Sequence, residues 1–365
     1  MDPEPSRLSP LDRFLWDHAG AGSAPTLSQA LAAAYPDSTP DQLTLWTVTA
    51  GRAEPFNSLL RHGGAEQAIG ETLGDLQLLW IPHDRGQFVV GVWPTGYPRT
   101  YHLVGTVPVT DPRWRRVERW INRAGPRLFV PNLKESEFED ILASLSHAGD
   151  TRVSRLTSRA LEDGSSDVRG WKAGAGRPPY EEALREIRGK GFTPRSITLD
   201  VVGRLSLLLR RDSGATFYGG DFALFEVAVM NAFAVAGNKR WELLSGRERS
   251  GQELRPIRIL LPDDALAEPD ALETLVDSLS QAATSVAVLH RNPYVHMTLT
   301  NYNDGSNMDA FVFRDDELLI YPGYTASAGA LARLAAELSA RFAGAEVDDA
   351  PAAAPPTDEE LLTTG

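Results

Sequence analysis

The chain has 365 residues, 42% of them apolar and 23% charged, with a formal net charge of −13 and no cysteine. That length exceeds the usual single-domain size and predicts two domains, while the composition excludes wholesale disorder and fibrous classes. The missing cysteine excludes disulfides, thiolate metal sites and thiol nucleophiles.

From the N-terminus, SPLDRFLWDHAG and TLSQALAAAYP carry Ser or Thr near their starts and Gly or Pro at their ends, the punctuation of helices. LTLWTVTA, LQLLWIPH, GQFVVGVWP and RTYHLVGTVPV then read as strands of an antiparallel sheet, with HDRG as a hairpin turn. TDPRWRRVERWINRAG is the clearest helix of this half: Asp111 caps it, Pro112 fits its first turn and Gly125 ends it. Trp114, Val117 and Ile121 share one face and read as core. Arg115, Arg116 and Arg119 lie largely on the other, a solvated face that can also meet phosphates. SEFEDILASLSHAG follows as an amphipathic helix ending at Gly149. Residues 151–178 have little periodicity and many Gly, Ser and Pro, which predicts a linker or mobile loop and sets an N-terminal α+β domain at 1–150.

The second half predicts a C-terminal α/β domain over 179–345. Helices are expected at 180–190, 221–236, 269–282 and 326–343, covering a mixed sheet that ends in a β-meander. The helix capped by Asp221 and ended by Gly237 is apolar nearly all round and is expected to be central and buried. Residues 346–365 are acidic and rich in Ala and Pro, the signature of a disordered tail. No internal repeat is visible, and the fold class expected is α/β to α+β with two domains.

The stretch VLHRNPYVHMTLTNYNDGSNMDAFVF, residues 288–313, is the most crowded with chemistry-bearing groups. A hairpin between TSVAVLH and VHMTLT sets His290 and His296 opposite each other, with Thr298 in line and Asp309 close by. These four are the candidate catalytic residues, for phosphodiester hydrolysis with a histidine as nucleophile or general acid. HMTL resembles the His-apolar-Thr-apolar element of two-histidine phosphoesterases, which carry it twice; this chain has one copy. HMTLTNYNDGS resembles the phospholipase D motif in outline, but Thr298 stands where that family has its lysine and a second motif is missing. The same residues also suit turns: Asn292-Pro293 and Asn303-Asp304-Gly305 are turn formers. The spacing matches no tight metal-site pattern and implies no cofactor.

Charge is uneven. Residues 99–258 hold 27 Lys and Arg against 20 Asp and Glu, while the two flanks are strongly acidic. Arg115, Arg116, Arg119, Lys239, Arg240, Arg247 and Arg249 are the candidate binding residues, suited to nucleic acid or an acidic protein surface. The nucleotide-binding, dinucleotide, nucleophile-elbow and zinc-protease signatures are all missing from the sequence. No run reaches the about 18 apolar residues that cross a bilayer, and the start MDPEPSRLSP lacks a signal-peptide layout, so a cytoplasmic protein without a membrane partner is expected. The sequence-level expectation is a non-catalytic bacterial binding or regulatory protein, possibly a subunit of a nucleic-acid-handling or phage-defence complex. A phosphodiesterase or nuclease is the alternative.

Overall fold

The computed structural model describes residues 8–350 apart from 53, 66–67, 84–85, 161–164, 173–175, 248–254, 264, 268, 283–284, 292–293 and 315. The chain forms two compact units: residues 1–158, 167–189 and 194–239 make one, and residues 159–166, 190–193 and 240–365 the other. Among the described residues no helix is long and apolar enough to cross a membrane.

The first unit is organised about β1 (Leu43–Ala50), whose eight residues are all buried. On one side β1 pairs antiparallel with β5 (Thr100–Gly105). On the other it pairs with β11 (Gly214–Gly220) through Leu43–Trp46 and with the two-residue β6 (Leu128–Phe129) through Thr49 and Ala50. Outward from β5 run β4 (Gly86–Pro94), β3 (Leu76–His83) and β2 (Ile69–Leu73). Outward from β11 run β10 (Leu205–Arg210), β9 (Phe192–Val201), β7 (Thr151–Ala160) and β8 (Ser166–Gly170), completing an eleven-stranded sheet.

Local signals set the helices. Ser9 caps α1 (Pro10–Asp17), a Thr26/Gln29 capping box opens α2 (Leu27–Ala34), and Asp111 with Pro112 opens α4 (Pro112–Ala124). Helix α4 buries Trp114, Val117, Trp120, Ile121 and Ala124, and with α3 (Phe56–Arg61) it joins one cluster with Val48, Phe88 and Leu103 of the sheet. Its tryptophans are therefore core. Helices α5 (Glu135–Ala148) and α6 (Tyr180–Arg188) complete this unit with a long helical segment, α7 (Phe222–Phe225), a π turn over Glu226–Met230 and α8 (Asn231–Leu244).

Three expectations change here. The stretch read as a linker contains β7 and β8, in the same sheet as β1, and the compact units divide near residue 240 rather than 150. In β7 the buried set is Thr151, Val153, Leu156, Ser158 and Ala160, so mildly polar residues carry the inward face and mask its alternation. The helix expected to stop at Gly237 runs on to Leu244. Gly237 is a close-approach residue rather than a cap, since a Cβ there would stand 2.8 Å from Thr100 Cγ2 and 2.9 Å from Thr49 Oγ1. Nor is this helical segment buried all round, because Ala223, Val227 and Asn231 are exposed.

The second unit runs β12 (Ile257–Leu260), α9 (Pro269–Ala282), β13 (Ser285–His290), β14 (Val295–Asn301), β15 (Ser306–Arg314), β16 (Glu317–Pro322), α10 (Ala328–Arg341) and β17 (Glu346–Asp349). Its sheet order is β13-β14-β15-β16-β12-β17, and every pairing is antiparallel rather than mixed. The α10 crossover joins β16 to a strand of like direction, but β12 lies antiparallel between the two. Strand β17 begins at Glu346, inside the stretch expected to be disordered; residues 351–365 of that tail lie outside the described residues.

A repeat invisible in the sequence emerges from the topology. Residues 43–129 run strand, helix, four-strand meander, helix, strand, and so do residues 257–349. In each copy the first strand pairs antiparallel with the last meander strand on one side and with the closing strand on the other, β1 with β5 and β6, β12 with β16 and β17. The meander of residues 288–313 therefore holds the place that β2–β4 hold in the first copy.

Two buried ionisable groups mark the first unit. His102 on β5 is fully enclosed with Nδ1 3.0 Å from Thr47 Oγ1, and burial holds its pKa down to about 3, so it folds neutral. Asp12 is buried at the end of a hydrogen bond from Thr106 Oγ1, 3.2 Å, and burial drives its pKa up to about 7 against the pull of Ser9, Thr106 and Arg113. A raised folded pKa means that stability is present below the unfolded value near 3.8 and is lost as pH climbs through about 7. Asp12→Asn keeps an acceptor for Thr106 and removes the titration. Its stability relative to the parent should therefore rise by about 2 kcal/mol between pH 5.5 and 8.5, read from urea unfolding at each pH; a gap that does not change with pH refutes the assignment.

Candidate functional site

The meander brings three of the four candidate catalytic residues together. In β14 the side chains alternate, Met297 and Leu299 into the core with Met308, Ala310, Leu318 and Ile320, and His296, Thr298 and Thr300 onto the second face. Thr298 lies opposite Asp309 and donates Oγ1 to its Oδ1 at 2.9 Å; the same oxygen stands 3.4 Å from His296 Nε2. Two cross-strand rows organise this face. One is Ala287, Thr298, Asp309 and Tyr321; the other is His290, His296, Phe311, Leu319, Arg258 and Asp348.

His290 does lie opposite His296, but across an irregularity in register between Val288 and His290. Its ring stacks on Tyr294 at 4.7 Å and its Nδ1 sits 3.3 Å from the Tyr294 carbonyl oxygen. His296 instead stacks on Phe311 at 4.1 Å, and Phe311 meets Tyr321 edge-on at 5.5 Å. The aromatic partners Tyr294, Phe311 and Tyr321 were not singled out from the sequence. Their only sequence signal is that Phe311 and Tyr321 share the alternation of the polar positions. Among the described residues no group of three His, Asp or Glu side chains could hold a metal ion.

The turn that follows is a rigid polar assembly. Asp304 Oδ1 accepts from the Ser306 amide at 3.0 Å, Ser327 Oγ donates to Asp304 Oδ2 at 2.5 Å, and the Asn307 side chain accepts from the Thr325 amide at 3.2 Å. Ser327 also caps α10 through the Ala330 amide. These bonds tie the β14–β15 turn to the start of α10, which is a structural use for Asn, Asp and Ser in that stretch.

The basic candidates have different fates. Arg115 and Arg119 are exposed on α4 and Arg116 is half-buried over the Trp120 ring, 5.3 Å from its centroid. Exposed Arg123 extends this row, a residue the sequence reading passed over although it lies four positions beyond Arg119. No described carboxylate forms an ion pair with any of these four arginines. The one acid on this face, Glu118, is instead paired with Arg210 at 3.7 Å. Elsewhere the basic middle is largely neutralised within the fold: Arg113 pairs with Asp111, Arg152 with Asp150, Arg169 with Asp167 and Glu186, Arg188 with Glu135, and Arg204 with Asp221.

Lys239 is exposed on α8 and Arg240 half-buried, while Arg249 lies outside the described residues. Arg247 is not a surface cation. At 2% exposure its guanidinium donates to the carbonyls of Leu243, Arg255 at 3.1 Å and Pro256 at 2.7 Å, and it pairs with Asp349 of β17. Asp349 is 67% exposed, so water screens that pairing and the carbonyls carry more of the energy. Arg247 thus ties the end of α8 to both edge-side strands β12 and β17.

No protein-family model matches the chain, and no curated protein matches it in sequence.

Arg247→Ala strands three carbonyls and should lower the stability of the second unit by about 3 kcal/mol, measured by urea unfolding. Arg247→Lys should recover little of this, because one ammonium cannot reproduce the fork that reaches three acceptors.

Proposed function

We propose that the protein is a non-catalytic binding protein that engages an anionic partner, nucleic acid or an acidic protein surface, through the outer face of α4. The observation that carries this reading is the row of Arg115, Arg116, Arg119 and Arg123, left without carboxylate partners in a unit whose other arginines are mostly paired internally. An arginine that keeps no internal partner retains its full fork of donors for a phosphate or carboxylate. Helix α4 is anchored by five buried residues, so the row is presented on a fixed scaffold. The second copy of the fold supports the same reading by contrast: α10 holds the equivalent place with Arg333, Glu337 and Arg341 of mixed sign, so the basic face is particular to α4 and is not a by-product of the fold.

Labelled single-stranded DNA, duplex DNA and RNA, together with an acidic protein surface such as a poly-glutamate column, test this at two salt concentrations. Retention should weaken with salt, and the Arg115→Glu/Arg119→Glu/Arg123→Glu variant should lose it. For nucleic acid each lost phosphate contact removes about 0.7–0.9 from the slope of log affinity against log salt. No retention on any of the four refutes the reading.

A second reading rests on the contacts of Asp309 with Thr298 and His296: a phosphodiesterase or nuclease in which the histidine moves a proton and Asp309 orients it. It expects cleavage of labelled substrates, with His296→Ala lowering turnover by about 100-fold or more while leaving the fold intact; turnover unchanged in that variant sinks it.

A further inference from the structure

The two sheets have four edges, and three of them are guarded. At β2 the Gly20 amide donates to Thr72 O at 3.0 Å, Gln77 Nε2 donates to Gly70 O at 3.2 Å, and the strand carries Glu71. Strand β8 has five residues, two of which, Asp167 and Arg169, pair with each other at 2.8 Å. Strand β17 has four residues, Glu346, Val347, Asp348 and Asp349. Short length, charge and covering chain are the devices by which proteins keep sheet edges from pairing with other chains.

Strand β13 has none of them. Its six residues, Ser285–His290, include no Asp, Glu, Lys or Arg, and Ala287, Leu289 and His290 are exposed, Leu289 at 59%. It ends its sheet order, and no described residue hydrogen-bonds its outer side. The internal repeat sharpens the contrast. Strand β2 holds the same place in the first copy, and there the chain ahead of β1, at Gly20, lies along its edge. Nothing described ahead of β12 does the same for β13.

We propose that the outer edge of β13 is a self-association site: β13 of a second copy of this chain pairs with it antiparallel about a two-fold axis, joining two six-stranded sheets into one of twelve strands. A strand that meets its own copy antiparallel satisfies the isologous symmetry of a dimer, and it exchanges backbone hydrogen bonds along its length. Electrostatics favour this edge for a like partner. Two chains of net charge −13 repel, and an uncharged strand is where their backbones approach at least cost. A single six-residue strand pair buries much less than the roughly 800 Å² per partner of a standard stable interface, so association is weak and concentration-dependent. This proposal does not rest on the reading of α4.

The test is molar mass by size exclusion with light scattering over a dilution series of the full chain. The mass should climb toward twice the monomer value as concentration rises. Ala287→Lys/Leu289→Lys puts two charges on the edge at exposed positions and should stay at the monomer mass throughout, with an unchanged circular dichroism spectrum. Ala287→Lys alone should weaken association at least tenfold, which keeps the test usable if the double variant folds poorly. Val168→Lys, on the β8 edge, should associate as the parent does. A parent that stays monomeric across the series overturns the proposal, as does parent-like association of the well-folded lysine variants.

Discussion

Burial of β1 on both faces and both edges is the constraint on which the first unit depends. A strand reading LTLWTVTA places three threonines and a tryptophan where no water reaches, and buried polar groups cost heavily unless bonded. Thr44 Oγ1 donates to Val107 O at 2.5 Å, Trp46 Nε1 to Asp212 O at 3.0 Å, and Thr47 Oγ1 meets His102 Nδ1 at 3.0 Å. Each bond recruits a different piece of chain: the link from β5 to α4, the turn from β10 to β11, and β5 itself. Satisfying one central strand thus fixes the start of α4, and with it the direction in which Arg115, Arg119 and Arg123 point.

The two copies of the fold have diverged in what they carry. The first holds its chemistry on a helix: α4 sets apolar residues inward and arginines outward. The second holds it on the strands, with His296, Thr298 and Asp309 on the second face of β14 and β15 and aromatic rings stacked beside them. Scaffold and function separate cleanly in such a pair, since positions shared by both copies serve packing and those found in one copy are free to serve recognition. The crowded meander is first of all a scaffold element, and only the row Thr298, Asp309 and His296 exceeds that role.

What the sequence made legible follows from where the information sits. Helix α4 was readable from end to end because Asp111, Pro112 and Gly125 are local signals and Trp114, Val117 and Ile121 repeat at the helical period. The opposition of His290 and His296 and the nearness of Asp309 followed from strand alternation and two short turns. Strand β7 was not readable, since Thr151 and Ser158 are inward residues that look like loop residues. Gly237 looked like a helix stop because glycine commonly is one; its real reason, two threonines on neighbouring strands, lies more than 130 residues away in sequence. Arg247 looked like a free cation because its partners are backbone carbonyls and a carboxylate 102 positions downstream. The repeat escaped because LTLWTVTA and IRIL share a place in a sheet and little else.

The smallest strand in the molecule has the largest architectural effect. In the second copy β17 takes up all four residues of β12, and that side of the sheet closes with an acidic border. In the first copy β6 takes only Thr49 and Ala50, leaving Leu43–Trp46 with unspent hydrogen-bonding capacity, which β11 fills and four further strands extend. A closing strand cut short by two residues is thus what turns a self-contained module into the foundation of a wider one, and the reach of the whole sheet is metered by the length of its least conspicuous part.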